Sequence, residues 1–352
     1  MGVVGGLFLV LSERIKSADG QGATLLGLAF GEAFCGVSAG WTPEQAGLFF
    51  KEQSGLLTEW PRRTRGLPVP VRRLLRRGGL HGIHTQTAMA LAYEGPRSVD
   101  HAKVVGALVV AGFEASAWRN FPRGLMSMAH RQRVDCTSRL TNDVTVRPGP
   151  IGAAVSYLGV ADPALRRALT VAALDSLYGD ELTSFIGALL GEILAHCAHG
   201  DVPTLEGALD SLRLEPALVT LNPERLADLL MSGVGHLGQH VQVINALKTA
   251  LSSNDAPLEV LRGILLEGVA SDTAGAVAGS ILAARAGTDW CDVSALLAGE
   301  RLIACADWLN NGQEAAPETY PEFLEAESDL TRSEMAFRDE MMAERRTSSR
   351  LT

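Results

Sequence analysis

Lysine is almost missing from this chain. Lys16, Lys51, Lys103 and Lys248 are the only ones in 352 residues, so nearly all of the positive charge is arginine. With 31 basic against 40 acidic residues the formal net charge is −9, which sets the chain against general nucleic-acid binding. Aromatic residues make up 5%, and alternating runs of β-branched residues are scarce, which excludes a sheet-dominated fold. Cys35, Cys136, Cys197, Cys291 and Cys305 are odd in number and never form a Cys-x-x-Cys. That pattern excludes a disulfide framework and points to reduced thiols in a cytoplasmic protein. No apolar run reaches the ~18 residues of a membrane span. The opening MGVVGGLFLVL lacks a basic start and a small-residue cleavage site, so residues 1–12 read as a buried extension rather than a signal peptide.

What is present is helical. Hydrophobic residues are 47% and recur at spacings of three and four, as closely packed helices require. Thr42-Pro43 and Asp162-Pro163 have the form of an N-cap followed by proline at the first helical position, and Gly200 closes the helix before it. In DELTSFIGALLGEILAHCAHG, Leu182, Phe185, Ile186, Leu189, Ile193 and Cys197 share one face. Gly275 and Gly279 lie one turn apart and invite close approach of another helix. DVSALLAGERLIACADWL reads as one further helix. Residues 312–352 change character: they are dense in charge, with a thin stripe of Phe323, Leu330, Phe337 and Met341. The expected organisation is all-α: an extension over 1–12, one helical domain over 13–311, and a charged helix and tail over 312–352. The tail docks on the body or forms a homodimer.

Several stretches could carry chemistry. GLHGIHTQTAMALAYE (79–94) brings His84, Thr85 and Gln86 to a helix start, where free N–H groups favour anions. The ordinary alternative makes Thr85 an N-cap and His84 a loop residue. Ser271 or Asp272 is the expected cap of the helix carrying Gly275. The Arg-rich runs 62–77 and 118–133 could hold phosphates, with Trp118 or Phe121 against a base, but read more simply as solvated faces. His196 and His199 flank Cys197, and His236 and His240 are spaced i, i+4. Neither pair has a third metal ligand nearby in sequence.

Taken in order, four blocks resemble the ADP-ribosylglycohydrolase family. LLGLAFGEAFCG (25–36) is similar to its first helix, with Gly31-Glu32-Ala33 where Gly-Asp-Ala is usual. HTQTAMALAY resembles the Thr-Asp-Asp-Thr motif and its helix. TNDVTVRPGPIGAA (141–154) looks like the Asn-Gly-Ala-Ala-Met-Arg block through Asn142, Arg147, Pro150 and Gly152. GVASDTAGAVAGSILAARAG resembles the closing Gly-Gly-Asp-x-Asp-Thr helix through Gly268, Asp272, Thr273, Gly279 and Gly287. The resemblance implies a single orthogonal bundle of many helices. It also implies a cleft in which two magnesium ions help to cut ADP-ribose from an acceptor.

The chain departs from the family where the metals are held. Thr85 and Gln86 stand in place of paired aspartates, His84 in place of the first threonine, and Ala270 in place of an aspartate. Asp272 alone remains of four, with Thr273 beside it. One carboxylate cannot offset two confined Mg²⁺ ions, which prefer octahedral oxygen ligation. No cofactor is therefore expected, and a single Mg²⁺ at Asp272 and Thr273 is the fallback. The expected working groups are His84, Glu32 and Asp272, with Thr85, Gln86, Asn142, Arg147, Ser271 and Thr273 binding a small anionic or ADP-ribose-like ligand. Three functions follow: a metal-independent enzyme on such a ligand; an ADP-ribose-binding pseudoenzyme; or an ordinary ADP-ribosyl hydrolase with one Mg²⁺.

Overall fold

The computed structural model describes residues 4–60, 74–94, 101–119, 149–178, 181–213, 238–312 and 315–348. Among them are thirteen α-helices, one 3-10 turn and no strand, so the chain is all-α. In chain order the helices are α1 (Val4–Gly36), α2 (Pro43–Phe50), α3 (Ile83–Glu94), α4 (His101–Glu114), α5 (Pro150–Ser156), α6 (Pro163–Tyr178) and α7 (Glu181–Ala198). They continue with α8 (Leu205–Arg213), α9 (Gly238–Ser252), α10 (Pro257–Glu267), α11 (Ser271–Ala286), α12 (Gly299–Asn311) and α13 (Tyr320–Ser348).

Two helices form the axis of the core. Residues 27–39 and 274–283 are buried without exception, and a helix apolar on all sides has to be central. α1 packs more extensively on α11 than any other pair of helices. The glycines explain how close they come: a Cβ at Gly31 would overlap the Gly275 carbonyl, and one at Gly279 would overlap that of Gly27. The close approach expected of Gly275 and Gly279 is therefore made, and α1 is the partner. Around this pair α7 packs on α5 and α6, α9 and α10 on α11, and α12 on α1.

Local signals acted as read at several helix ends. Thr42 accepts from the Gln45 backbone while the Gln45 side chain returns to Thr42, a complete capping box before Pro43. Asp162 accepts from the Ala164 backbone at the start of α6. Gly200 has φ +81° and donates to the Cys197 carbonyl at the end of α7. That helix is buried well beyond the predicted stripe, with Leu190 and Leu194 inside as well.

Elsewhere the structure differs. α1 runs unbroken through residue 12, so the expected boundary falls inside a helix. The segment read as one helix from Asp292 is a 3-10 turn, Val293–Ala295, followed by α12, because Gly299 tucks under the Val293 carbonyl where a side chain would not fit. The start of α13 docks deeply on the body. Phe323 is fully buried in the main core, Leu324 lies beside it, and Phe337 and Met341 pack on its edge.

Candidate functional site

Three helix ends meet: the C-terminus of α1 and the N-termini of α3 and α11. The turn after α1 is tied to the start of α11 by Gly40 donating to the Val269 carbonyl (2.7 Å) and Val269 donating to that of Trp41 (2.8 Å). Val269, a β-branched residue, is held at φ +40° and is 43% exposed. Backbone strain of that kind persists only where surrounding contacts over-determine it. Beneath it the Ser271 hydroxyl donates to the Cys35 carbonyl (2.8 Å), and Ser38 bridges to Leu265 (2.6 Å) and Ser271 (3.0 Å).

Glu32, one turn before the end of α1, caps α3. Its Oε1 accepts the His84 backbone N–H (2.9 Å), and its Oε2 accepts the Thr85 N–H (3.0 Å) and the Thr85 hydroxyl (2.6 Å). A carboxylate at a helix N-terminus meets both the free donors and the positive end of the dipole. Gly82 completes the fit, since a Cβ there would stand 2.6 Å from Glu32 Oε1. Thr85 is thus not the N-cap expected of it. The helix begins two residues earlier, and Thr85 lies in its first turn with its hydroxyl committed.

Asp272 corrects the second cap. Ala270 is the N-cap of α11, Ser271 points into the core, and Asp272 sits in the first turn. Its Oδ1 accepts the Thr273 N–H (2.8 Å), and its Oδ2 lies 3.0 Å from Arg76 Nη2. The two side chains are 19% and 21% exposed. Burial raises the Asp272 carboxyl, but Arg76 and the nearby His84 outweigh it and leave it below its ordinary value. The His84 ring, 2% exposed, places Nε2 3.0 Å from the Thr273 hydroxyl and leaves Nδ1 without a partner. Burial pushes the neighbouring Cys35 thiol well up, so it offers no thiolate.

Gln86 faces away from this group. Its carbonyl accepts the Arg119 N–H (3.0 Å), and its amide donates to the Ala117 carbonyl and to Glu327 (both 2.8 Å). Glu327, from α13, is fully buried, with Arg119 at 2.6 Å, Arg301 at 3.0 Å and His81 at 3.3 Å. Burial would raise this carboxyl, yet Arg119, His81 and Arg301 together hold it well below the usual range.

The structure therefore brings Glu32, His84, Thr85, Ser271, Asp272 and Thr273 together and turns Gln86 into a separate buried network. Asn142, Arg147, Phe121, Cys136 and His236, like positions 62–73 of the first Arg-rich run, lie outside the described residues. Arg76 and Arg119, assigned to solvated faces, are respectively paired and buried. Trp118 donates to the Val109 carbonyl (3.1 Å). His196 lies between Glu192 (3.5 Å) and Asp201 (3.3 Å), while His199 bonds to the Ala195 carbonyl (2.6 Å). Sequence reading missed His81, Arg301 and Glu327, and set Arg76 and Arg119 lower, within runs that could hold phosphates but read more simply as solvated faces. One signal was available: Glu327 falls in line with Phe323 and Leu330 on the apolar stripe of α13, an improbable place for an unpaired carboxylate.

The residues present do not fit a pair of magnesium ions. Glu32 already accepts three hydrogen bonds from the start of α3, and Asp272 is neutralised by a guanidinium. Among the described residues no three His, Cys, Asp or Glu side chains form a metal-holding group, and no helix is long and apolar enough to cross a membrane. Set against protein-family models and against curated proteins, the chain matches none.

Proposed function

We propose that this chain is a divergent relative of the ADP-ribosylglycohydrolases that binds a phosphorylated, ADP-ribose-like small molecule where α1, α3 and α11 meet, without a metal pair. One observation carries the reading: on the carboxylate that the resemblance assigns to metal stands the guanidinium of Arg76, at 3.0 Å. A guanidinium is a permanent cation with planar, paired donors suited to phosphate oxygens. The segment that carries it is held at two main-chain carbonyls. The Trp60 indole donates to the Arg76 carbonyl (2.8 Å), and Leu297 donates to the Gly79 carbonyl (3.0 Å). Binding without turnover is the form best supported, because each of the three carboxylates is engaged: Glu32 accepts three hydrogen bonds from the start of α3, Asp272 is paired and Glu327 is sealed in the core.

A second reading, a metal-independent enzyme, is favoured by His84. Its buried ring has one nitrogen on Thr273 and the other unpartnered, so the imidazole could exchange a proton with a ligand.

The test is thermal unfolding with ADP-ribose, after chelation and again with Mg²⁺ restored. Ligand at 100 times its Kd adds about 2.7 kcal/mol to stability. The expected result is the same stabilisation with and without Mg²⁺, lost in Arg76→Gln. Stabilisation only with Mg²⁺ would restore the ordinary hydrolase, and no stabilisation would remove ADP-ribose as the model ligand. Turnover abolished in His84→Ala would favour the second reading.

A further inference from the structure

Asp272 uses its two oxygens in an unusual division. Oδ2 meets Arg76 and Oδ1 meets the first-turn N–H of Thr273. A phosphate oxyanion at this place would seek the same two partners, a guanidinium and a helix N-terminal N–H. The carboxylate is therefore a resident anion of this chain's own making. Three features mark the place as more than a capped helix. The backbone that carries Arg76 is tied down, its carbonyl accepting from the Trp60 indole (2.8 Å). The pair is partly exposed, so an anion can reach it. And the His84 ring, nearly all buried, stands one hydrogen bond away through Thr273 with Nδ1 unpartnered.

We propose that the phosphate of the ligand binds by taking the place of the Asp272 carboxylate on Arg76 and the Thr273 N–H, so that Asp272 acts as an exchangeable latch that weakens binding and restricts it to anions able to displace it. The inference rests on the anion-binding reading above. It adds a specificity-determining residue to that site and commits the ligand to a phosphoryl oxyanion. The exchange breaks the Asp272–Arg76 ion pair and the Thr273 N–H bond and forms both anew to phosphate oxygens. The displaced carboxylate turns to solvent, which its partial exposure allows. Glu32 cannot behave in this way, because its three donors are a buried helix start.

The experiment is calorimetric titration of inorganic phosphate and of ADP-ribose into the full chain and into Asp272→Asn, Asp272→Ala and Arg76→Gln. Circular dichroism serves as the check of folding. Asp272→Asn keeps an oxygen for the Thr273 N–H while removing the charge that competes for Arg76. The expected result is at least about tenfold tighter binding of both probes by Asp272→Asn, the same direction in Asp272→Ala, and binding lost in Arg76→Gln. Equal or weaker binding by folded Asp272 variants, with the unaltered chain still binding through Arg76, would overturn the latch and leave the anion site standing. Absence of binding by the unaltered chain and by both Asp272 variants would overturn the site and the latch together.

Discussion

Glu327 and Asp272 both hold an arginine, at 2.6 Å from Arg119 and at 3.0 Å from Arg76, yet they are built to opposite ends. Glu327 lies fully out of water with two guanidinium groups, an imidazole and the Gln86 amide around it, drawn from α3, α12, α13 and the segments before α3 and after α4. Asp272 keeps about a fifth of its surface and has one guanidinium and one backbone N–H. A charge removed from water is held only if every partner is in place, and removing one partner leaves the rest uncompensated. A partly exposed pair exchanges more easily, because water and solutes compete for it. The first arrangement ties α13 to the body, and the second leaves a cation with a replaceable counter-ion.

The contrast can be broken by mutation. Glu327→Ala should have the largest effect, a loss of about 3–5 kcal/mol in urea unfolding, since it leaves the buried Arg119 without its carboxylate, whereas Arg301 keeps its pair with Glu318 (2.9 Å). A loss under about 1 kcal/mol would mean the network is looser than its distances imply. Glu32→Ala comes next, at about 2–3 kcal/mol, because it frees two N–H groups and a hydroxyl at the start of α3. Acid sharpens the same comparison. The Glu327 carboxyl lies well below its ordinary 4.5 when folded. Its stabilisation is therefore fully present above that value and falls away as the pH drops below it toward the folded value. Urea midpoints should hold steady from neutral pH to about 5 and then decline, more gently in Glu327→Gln. Smallest is Asp272→Asn, expected within about 1 kcal/mol of the unaltered chain. A larger loss would put Asp272 in the same class as Glu327.

Helix class and several helix ends were legible because they depend on residues within one turn: Thr42 with Gln45, Asp162 with Ala164, Gly200 with Cys197. Two caps were misread for a related reason. Thr85 and Asp272 have the right chemistry to cap. At α3, however, the donors are taken by Glu32, 52 and 53 positions away, and at α11 the N-cap is Ala270, two residues before Asp272. No local pattern contains that information. The same holds for the arginines: a run such as 62–77 looks solvated whether or not one member reaches a carboxylate two hundred residues on.

Periodicity, glycine placement and cap chemistry were enough for an all-helical chain with α11 bared for close packing, since each is a property of neighbours three or four residues apart. Which carboxylates are free was beyond their reach. Gln86 and Glu327 are 241 residues apart, and His84 and Thr273 are 189. Once packing fixes those distances, burial and partner count decide whether a charge holds the fold together or waits for a ligand.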